Sequence, residues 1–166
     1  MTDEMLADRS RRGSGRAFAK LVARHCDAVY RIAHNLCTSA DAAEEITRQT
    51  FLSAYRRGAV RPRDASFRTW LYGIAVTMAM RQRCGAMCRS AILSEAPAVA
   101  DLAGFLREAL DCVDDDARAA FVLCDLVELP AEEAAVILRV SANVVRGRAH
   151  RVRLLVRGLL ERRFSA

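Results

Sequence analysis

The sequence is short of aromatic residues, proline, glycine and lysine, and each shortage narrows what it can be. Aromatics are 6% of its 166 residues, with 3 Pro and 8 Gly. Sheet-rich folds draw on aromatic and β-branched residues and on frequent turns, so this composition disfavours them. No run approaches the ~18 apolar residues of a membrane-spanning helix, so no direct membrane insertion is expected. There is no Gly-rich phosphate loop and no Ser/His/Asp or Cys/His set at a telling spacing, so the chain is not expected to be an enzyme. His25, His34 and His150 are scattered among helical stretches. Lys20 is the single lysine; so strong an arginine bias suits a GC-rich coding sequence and carries no functional weight.

What is present points to helices. Hydrophobic residues make up 52% of the chain, enough for packed cores in one ordinary domain or two small ones. Alanine and leucine, both strong helix formers, dominate the apolar set. The formal charge of +6 is unevenly spread. Residues 101–133 carry ten acidic and two basic side chains, residues 139–166 carry eight Arg against Glu161, and the first hundred residues carry sixteen basic against nine acidic. Two basic blocks thus flank an acidic one, and a polyanion would meet the ends of the chain rather than its middle.

Six cysteines, Cys26, Cys37, Cys84, Cys88, Cys112 and Cys124, all sit in helical-looking stretches. With no secretory leader legible, they are expected to be free, buried thiols of a cytoplasmic protein. Cys84 with Cys88, and His34 with Cys37, could pair on a helix. Neither forms a four-ligand set at usual zinc spacing, so no metal or cofactor is expected.

Along the chain, residues 1–15 are polar and read as a mobile tail. Residues 16–89 hold three helical stretches. The first runs from Ala17 to about Leu36, and the second from Ala42 to about Arg57 with cap chemistry at 38–41. The third is capped by Ser66 and reaches about Cys88. Residues 90–100, which include Pro97, have no sustained period and read as a linker. Residues 101–163 form a second helical domain: Asp101–Cys112, a helix capped by Asp114 or Asp115 to about Val127, Ala131–Leu138, and Ala142 to about Arg162. The expected architecture is all-α, two small helical domains joined by a short linker.

Residues 131–153 carry the sharpest signal. A short helix, the turn Arg139-Val140-Ser141 and a longer basic helix form a helix-turn-helix. Val145, Ala149, Val152, Val156 and Leu159 make one apolar stripe. Arg146, His150, Arg153 and Arg157 make a second stripe about 100° away. One face can pack inward while the other presents guanidiniums, which match phosphates and the guanine edge in a major groove. Arg148 and Arg151 lie off that stripe and suit backbone positioning. A solvated basic face on an ordinary bundle helix is the plain alternative, and the architecture by itself also fits any helix-turn-helix regulator.

Val122-Leu123-Cys124-Asp125-Leu126, Glu132 to Leu138, Val140-Ser141, and Val145-Arg146-Gly147-Arg148-Ala149-His150-Arg151-Val152-Arg153 resemble the fourth conserved region of sigma-70 family factors. Ala43-Glu44-Glu45-Ile46-Thr47 through Thr50-Phe51-Leu52-Ser53-Ala54-Tyr55, and Phe67-Arg68-Thr69-Trp70-Leu71-Tyr72-Gly73-Ile74-Ala75, resemble two helices of the second region. The resemblance covers nearly the whole chain after residue 16. Its brevity is similar to the extracytoplasmic-function (ECF) group.

The resemblance implies an RNA polymerase sigma factor that directs promoter recognition and transcription initiation, with polymerase core enzyme and promoter DNA as partners and an anti-sigma factor as a regulator. Glu44, Glu45, Arg48, Gln49 and Phe51 would lie at the polymerase contact. Trp70, Thr77, Arg81 and Arg83 would lie on the minus-ten side. Arg146, Arg148, His150, Arg151, Arg153 and Arg157 would face the minus-thirty-five element. Phe51 and Trp70 suit core packing equally well. Arg48 stands where the family has Gln, Thr77 and Arg81 where it has Asn and Asp, and Val113-Asp114-Asp115 replaces its "LPP". Those departures leave open a sigma-like protein-binding module that occupies an anti-sigma factor or polymerase without opening promoters.

Overall fold

The computed structural model describes residues 1–58, 61–62, 65–90 and 102–164. Every regular element in it is helical, and the chain divides into two compact units, Met1–Gln82 and Arg83–Ala166. No described helix is long and apolar enough to cross a membrane. The expected linker, residues 90–100, lies apart from Ser90 outside the described residues.

The first unit opens with a helix where a mobile tail was expected: α1, Asp3–Arg11. Thr2 caps it through a bond from the Met5 amide, and its acidic first turn and basic last turn complement the helix dipole. Leu6 is fully buried against the rest of the unit. Only Leu6 and Ala7 of α1 are buried, too few to announce a helical period in so polar a stretch. Gly13, at a φ of 93°, lets the chain turn into Ser14, which caps α2 (Gly15–Leu36). Ser39 caps α3 (Ala40–Arg57). Ser66 precedes α4 (Phe67–Ser90), and its hydroxyl accepts the Thr69 amide at 3.0 Å. α2 packs on both α1 and α3. Leu21, Val29, Ile32, Leu36, Leu71 and Ala75 fill the core between them.

Buried His25 ties three helices of this unit. One ring nitrogen lies 2.8 Å from Asp3 of α1 and the other 3.1 Å from the Tyr72 hydroxyl of α4. Partial burial pushes the Asp3 carboxyl up, but bonds from Arg24 and His25 outweigh it and hold it below its ordinary value.

The second unit comprises α5 (Leu102–Asp111), α6 (Asp115–Phe121), a π-helical turn (Val122–Leu126), α7 (Ala131–Leu138) and α8 (Ala142–Phe164). Asp114 caps α6 by accepting the Ala117 amide at 2.8 Å. The helix expected to continue to about Val127 widens at Val122, and Val127 N–H bonds back five residues to the Val122 carbonyl at 3.0 Å. Arg139 ends α7 in the left-handed conformation, φ 56°, and Ser141 caps α8.

An arginine, Arg118 of α6, is among the largest fully buried side chains. Its guanidinium bonds to Asp111 at 2.9 Å and to the Leu110 carbonyl, while Arg83 pairs with Asp111 at 3.2 Å and Asp115 at 2.8 Å. Burial, and then the nearby Arg83, pull the Arg118 pKa down; the aspartates oppose them. The carboxylates make this burial of charge tolerable.

Candidate nucleic-acid interface

The helix-turn-helix is built from α7, the Arg139–Ser141 turn and α8. Val145, Ala149 and Val152 are buried, and α8 packs chiefly on α6 and α7. Ala117, Ala119, Ala120, Ala134 and Ala135, all buried, give that contact a surface of small side chains. Val156 and Leu159, further along the same stripe, are half-buried. The apolar side of α8 therefore rests on its own unit.

The arginines flank that buried stripe and reach solvent, and acids of the same unit hold several of them. Arg146, 51% exposed, pairs with Glu132 of α7 at 3.0 Å. Arg153, 49% exposed, pairs with Asp125 of the π-helical turn at 2.6 Å. Arg148, half-buried, pairs with Asp116 of α6 at 2.8 Å, and Arg157 with Glu161 one turn on at 2.8 Å. His150 and Arg151 are exposed. The bond from Asp125 raises the Arg153 pKa further, so that guanidinium carries its charge at any working pH. Burial, and then Asp125, push the neighbouring Cys124 thiol up. Asp116, Asp125 and Glu132 were not singled out in the sequence. The one signal that could have found them is the acidic block just before the basic helix.

In the first unit, Glu44, Glu45, Arg48 and Gln49 are exposed on α3. Arg48 donates twice to Glu45, at 2.8 and 2.6 Å, and Gln49 donates at 2.6 Å. Those bonds, Arg48 first, lower the Glu45 pKa to about 2. Phe51 is buried, with its ring edge-on to Phe18, and belongs to the core.

Trp70, Thr77 and Arg81 fall at a spacing that places them on one stripe of α4. Trp70 is half-buried, and Thr77 and Arg81 are exposed. The Thr77 hydroxyl donates to the Gly73 carbonyl at 2.7 Å. Arg83 is not on that surface: its side chain is 12% exposed and held by Asp111 and Asp115 within the second unit.

No cluster of three or more potential metal ligands occurs among the described residues. His34 stacks on Tyr30 and Cys37 donates to the Ser39 carbonyl, so each has a local role. The Cys84 and Cys88 side chains lie outside what the structure describes.

Residues 21–83 match the family model for sigma-70 region 2, and residues 106–156 that for sigma-70 region 4. The ECF RNA polymerase sigma factor SigE of Mycolicibacterium smegmatis is 31% identical over 161 residues, covering 88% of this chain and 62% of that protein. The ECF RNA polymerase sigma-E factor of Escherichia coli K12 is 28% identical over 176 residues, covering 92% of this chain and 91% of its own length. Among solved structures, CnrH bound to the cytosolic domain of CnrY superposes with a TM-score of 0.76 at 28% identity, covering 96% of this chain and 97% of that one. Sigma factor RpoE of Bartonella quintana, crystallised with the anti-sigma factor NepR, shares the fold with a TM-score of 0.71 at 19% identity over 87% of this chain and 96% of its own.

Proposed function

The chain belongs to the sigma-70 family, in its ECF group, and from that premise we propose that it joins RNA polymerase core enzyme in the cytoplasm and directs it to promoters. Sigma factors are not an enzyme class, and the work assigned here is positioning and strand separation, without a catalytic centre or cofactor of its own. The second unit reads the minus-thirty-five element through α8, with Arg146, His150, Arg153 and Arg157 toward the groove. Arg148 and Arg151 set the backbone register. The first unit opens the minus-ten element from the stripe of Trp70, Thr77 and Arg81. Arg83, held by Asp111 and Asp115, takes no part in that stripe. Glu44, Glu45, Arg48 and Gln49 form the polymerase contact, and Phe51 supports them from the core.

One observation carries this reading: α8 buries Val145, Ala149 and Val152 while Arg146 and Arg153 reach solvent. A major groove accepts one such helix, and guanidiniums match guanine and phosphate. An anti-sigma factor is the expected regulator, since RpoE of Bartonella quintana, which shares the fold, was solved bound to one.

Run-off transcription with core enzyme on a cognate promoter tests the reading, and a transcript that depends on the chain is expected. Polymerase binding without a transcript would instead favour a sigma-like module that occupies partners. The local commitments of Arg48 to Glu45 and of Thr77 to Gly73 favour that second reading.

A further inference from the structure

The first amides of a helix have no partner within it and need acceptors from outside. At the start of α4, Ser66 supplies one to Thr69. Phe67 N–H is taken from a distance: Glu4 Oε1, on α1, accepts it at 2.7 Å. The other oxygen of the same carboxylate accepts from Arg61 Nη1, which also donates to the Ala65 carbonyl at 3.2 Å. One side chain thus joins α1, Arg61 and the first turn of α4, and its negative charge sits at a helix N-terminus where it is favoured.

The anchor behind it is firm. Asp3 bonds both Arg24, at 2.7 Å, and buried His25, and Leu6 is fully buried. Trp70, by contrast, is not packed on every side. It borders a cavity of about 320 Å³ lined also by Ala7, Arg11, Phe18, Arg61 and Phe67. Packing alone does not fix the indole, so its place depends on how the first turn of α4 is held.

We propose that Glu4 is a positioning residue for promoter opening: from α1 it sets the first turn of α4 and, with it, Trp70. This rests on the reading that Trp70 faces the minus-ten DNA. Trp70 is the only tryptophan in the chain, so intrinsic fluorescence reports it alone. In the full chain, Glu4→Ala is expected to raise acrylamide quenching of Trp70 and to cut minus-ten opening by core enzyme roughly fivefold, as loss of a helix cap would. Binding of the free chain to a minus-thirty-five duplex should not change. Glu4→Gln keeps an acceptor for Phe67 but loses the charge facing Arg61, so it should fall between wild type and Glu4→Ala. It carries the same comparison should Glu4→Ala not fold. Quenching equal to wild type overturns the proposal, as does raised quenching with unchanged opening. If wild type opens no promoter, the sigma-factor reading fails, and the quenching comparison still decides the clasp.

Discussion

The acids that hold the arginines of α8 could either block DNA or merely park the side chains, and magnitudes decide between these. Arg153 is 49% and Asp125 23% exposed in their 2.6 Å pair. An ion pair this open to water contributes about 0.2–1 kcal/mol. A bidentate arginine contact to a base contributes about 1–3 kcal/mol of discrimination. With Arg153 in the groove as proposed, DNA is expected to win and the pair to open on binding. Arg153→Ala should weaken promoter-duplex binding by roughly 5- to 150-fold. If the lost contact is to phosphate, the slope of log K against log salt should also shrink by about one. Asp125→Asn should tighten binding by no more than about fivefold.

Stability adds a check, because Asp125 Oδ2 is buried and already lacks a partner. Arg153→Ala takes the partner from Asp125 Oδ1, in a side chain 23% exposed, and should destabilise the unit by no more than about 1 kcal/mol. The double variant Arg153→Ala/Asp125→Asn should recover part of that loss. Fluorescence anisotropy across a salt series measures affinity, and urea unfolding measures stability. Tightening of tenfold or more by Asp125→Asn would refute the parking argument. Unchanged affinity of Arg153→Ala would refute the groove-facing assignment.

Arg118→Ala empties a fully buried volume and removes the donor to Asp111 and the Leu110 carbonyl, so it should destabilise the second unit by about 2–5 kcal/mol, whereas Arg118→Met, which refills most of the volume, should cost less; urea midpoints compare the two. Leu123→Ala, at a fully buried site within the π-helical turn, should cost about 2–5 kcal/mol by cavity formation, read in the same assay. Because the folded Asp3 carboxyl titrates below its ordinary 3.8, its contribution to the docking of α1 is intact above that pH and lost as pH falls through the lower folded value. Trp70 fluorescence should report this acid step, and Asp3→Asn should remove it. An identical step in the variant would assign it to another group.

The helices of the second unit were legible because their signals are local. Asp114, one of two caps the sequence offered, and the spacing of Val145, Ala149 and Val152 act within a few residues of one another and do in the structure what their positions suggested, while Ser141, read as part of the turn, also caps α8. The π-helical turn was not legible, since nothing in Val122–Leu126 departs from an ordinary apolar helix. Its i−5 bond is seen only in the backbone. α1 escaped for a related reason: Asp3 meets His25 and Glu4 meets Phe67 across long stretches of sequence, and no periodicity encodes such a contact. The resemblance grouped Thr77, Arg81 and Arg83 on the minus-ten side, yet Arg83 is captured by Asp111 and Asp115.

Charge shows the same limit most clearly. The net charge of residues 139–166 counts arginines as if all were available to a polyanion, but Asp116, Asp125 and Glu132 reach three of them from three separate elements. A summed charge therefore overstates the field that a phosphate backbone meets on approach. Since each of these pairs is partly exposed and weak, the difference falls mainly on encounter and little on the final complex. Neutralising Asp125 or Glu132 should accordingly speed association at low salt more than it slows dissociation. Stopped-flow binding separates the two rates. A gain confined to dissociation would mean that these acids shape the bound contact rather than the approach.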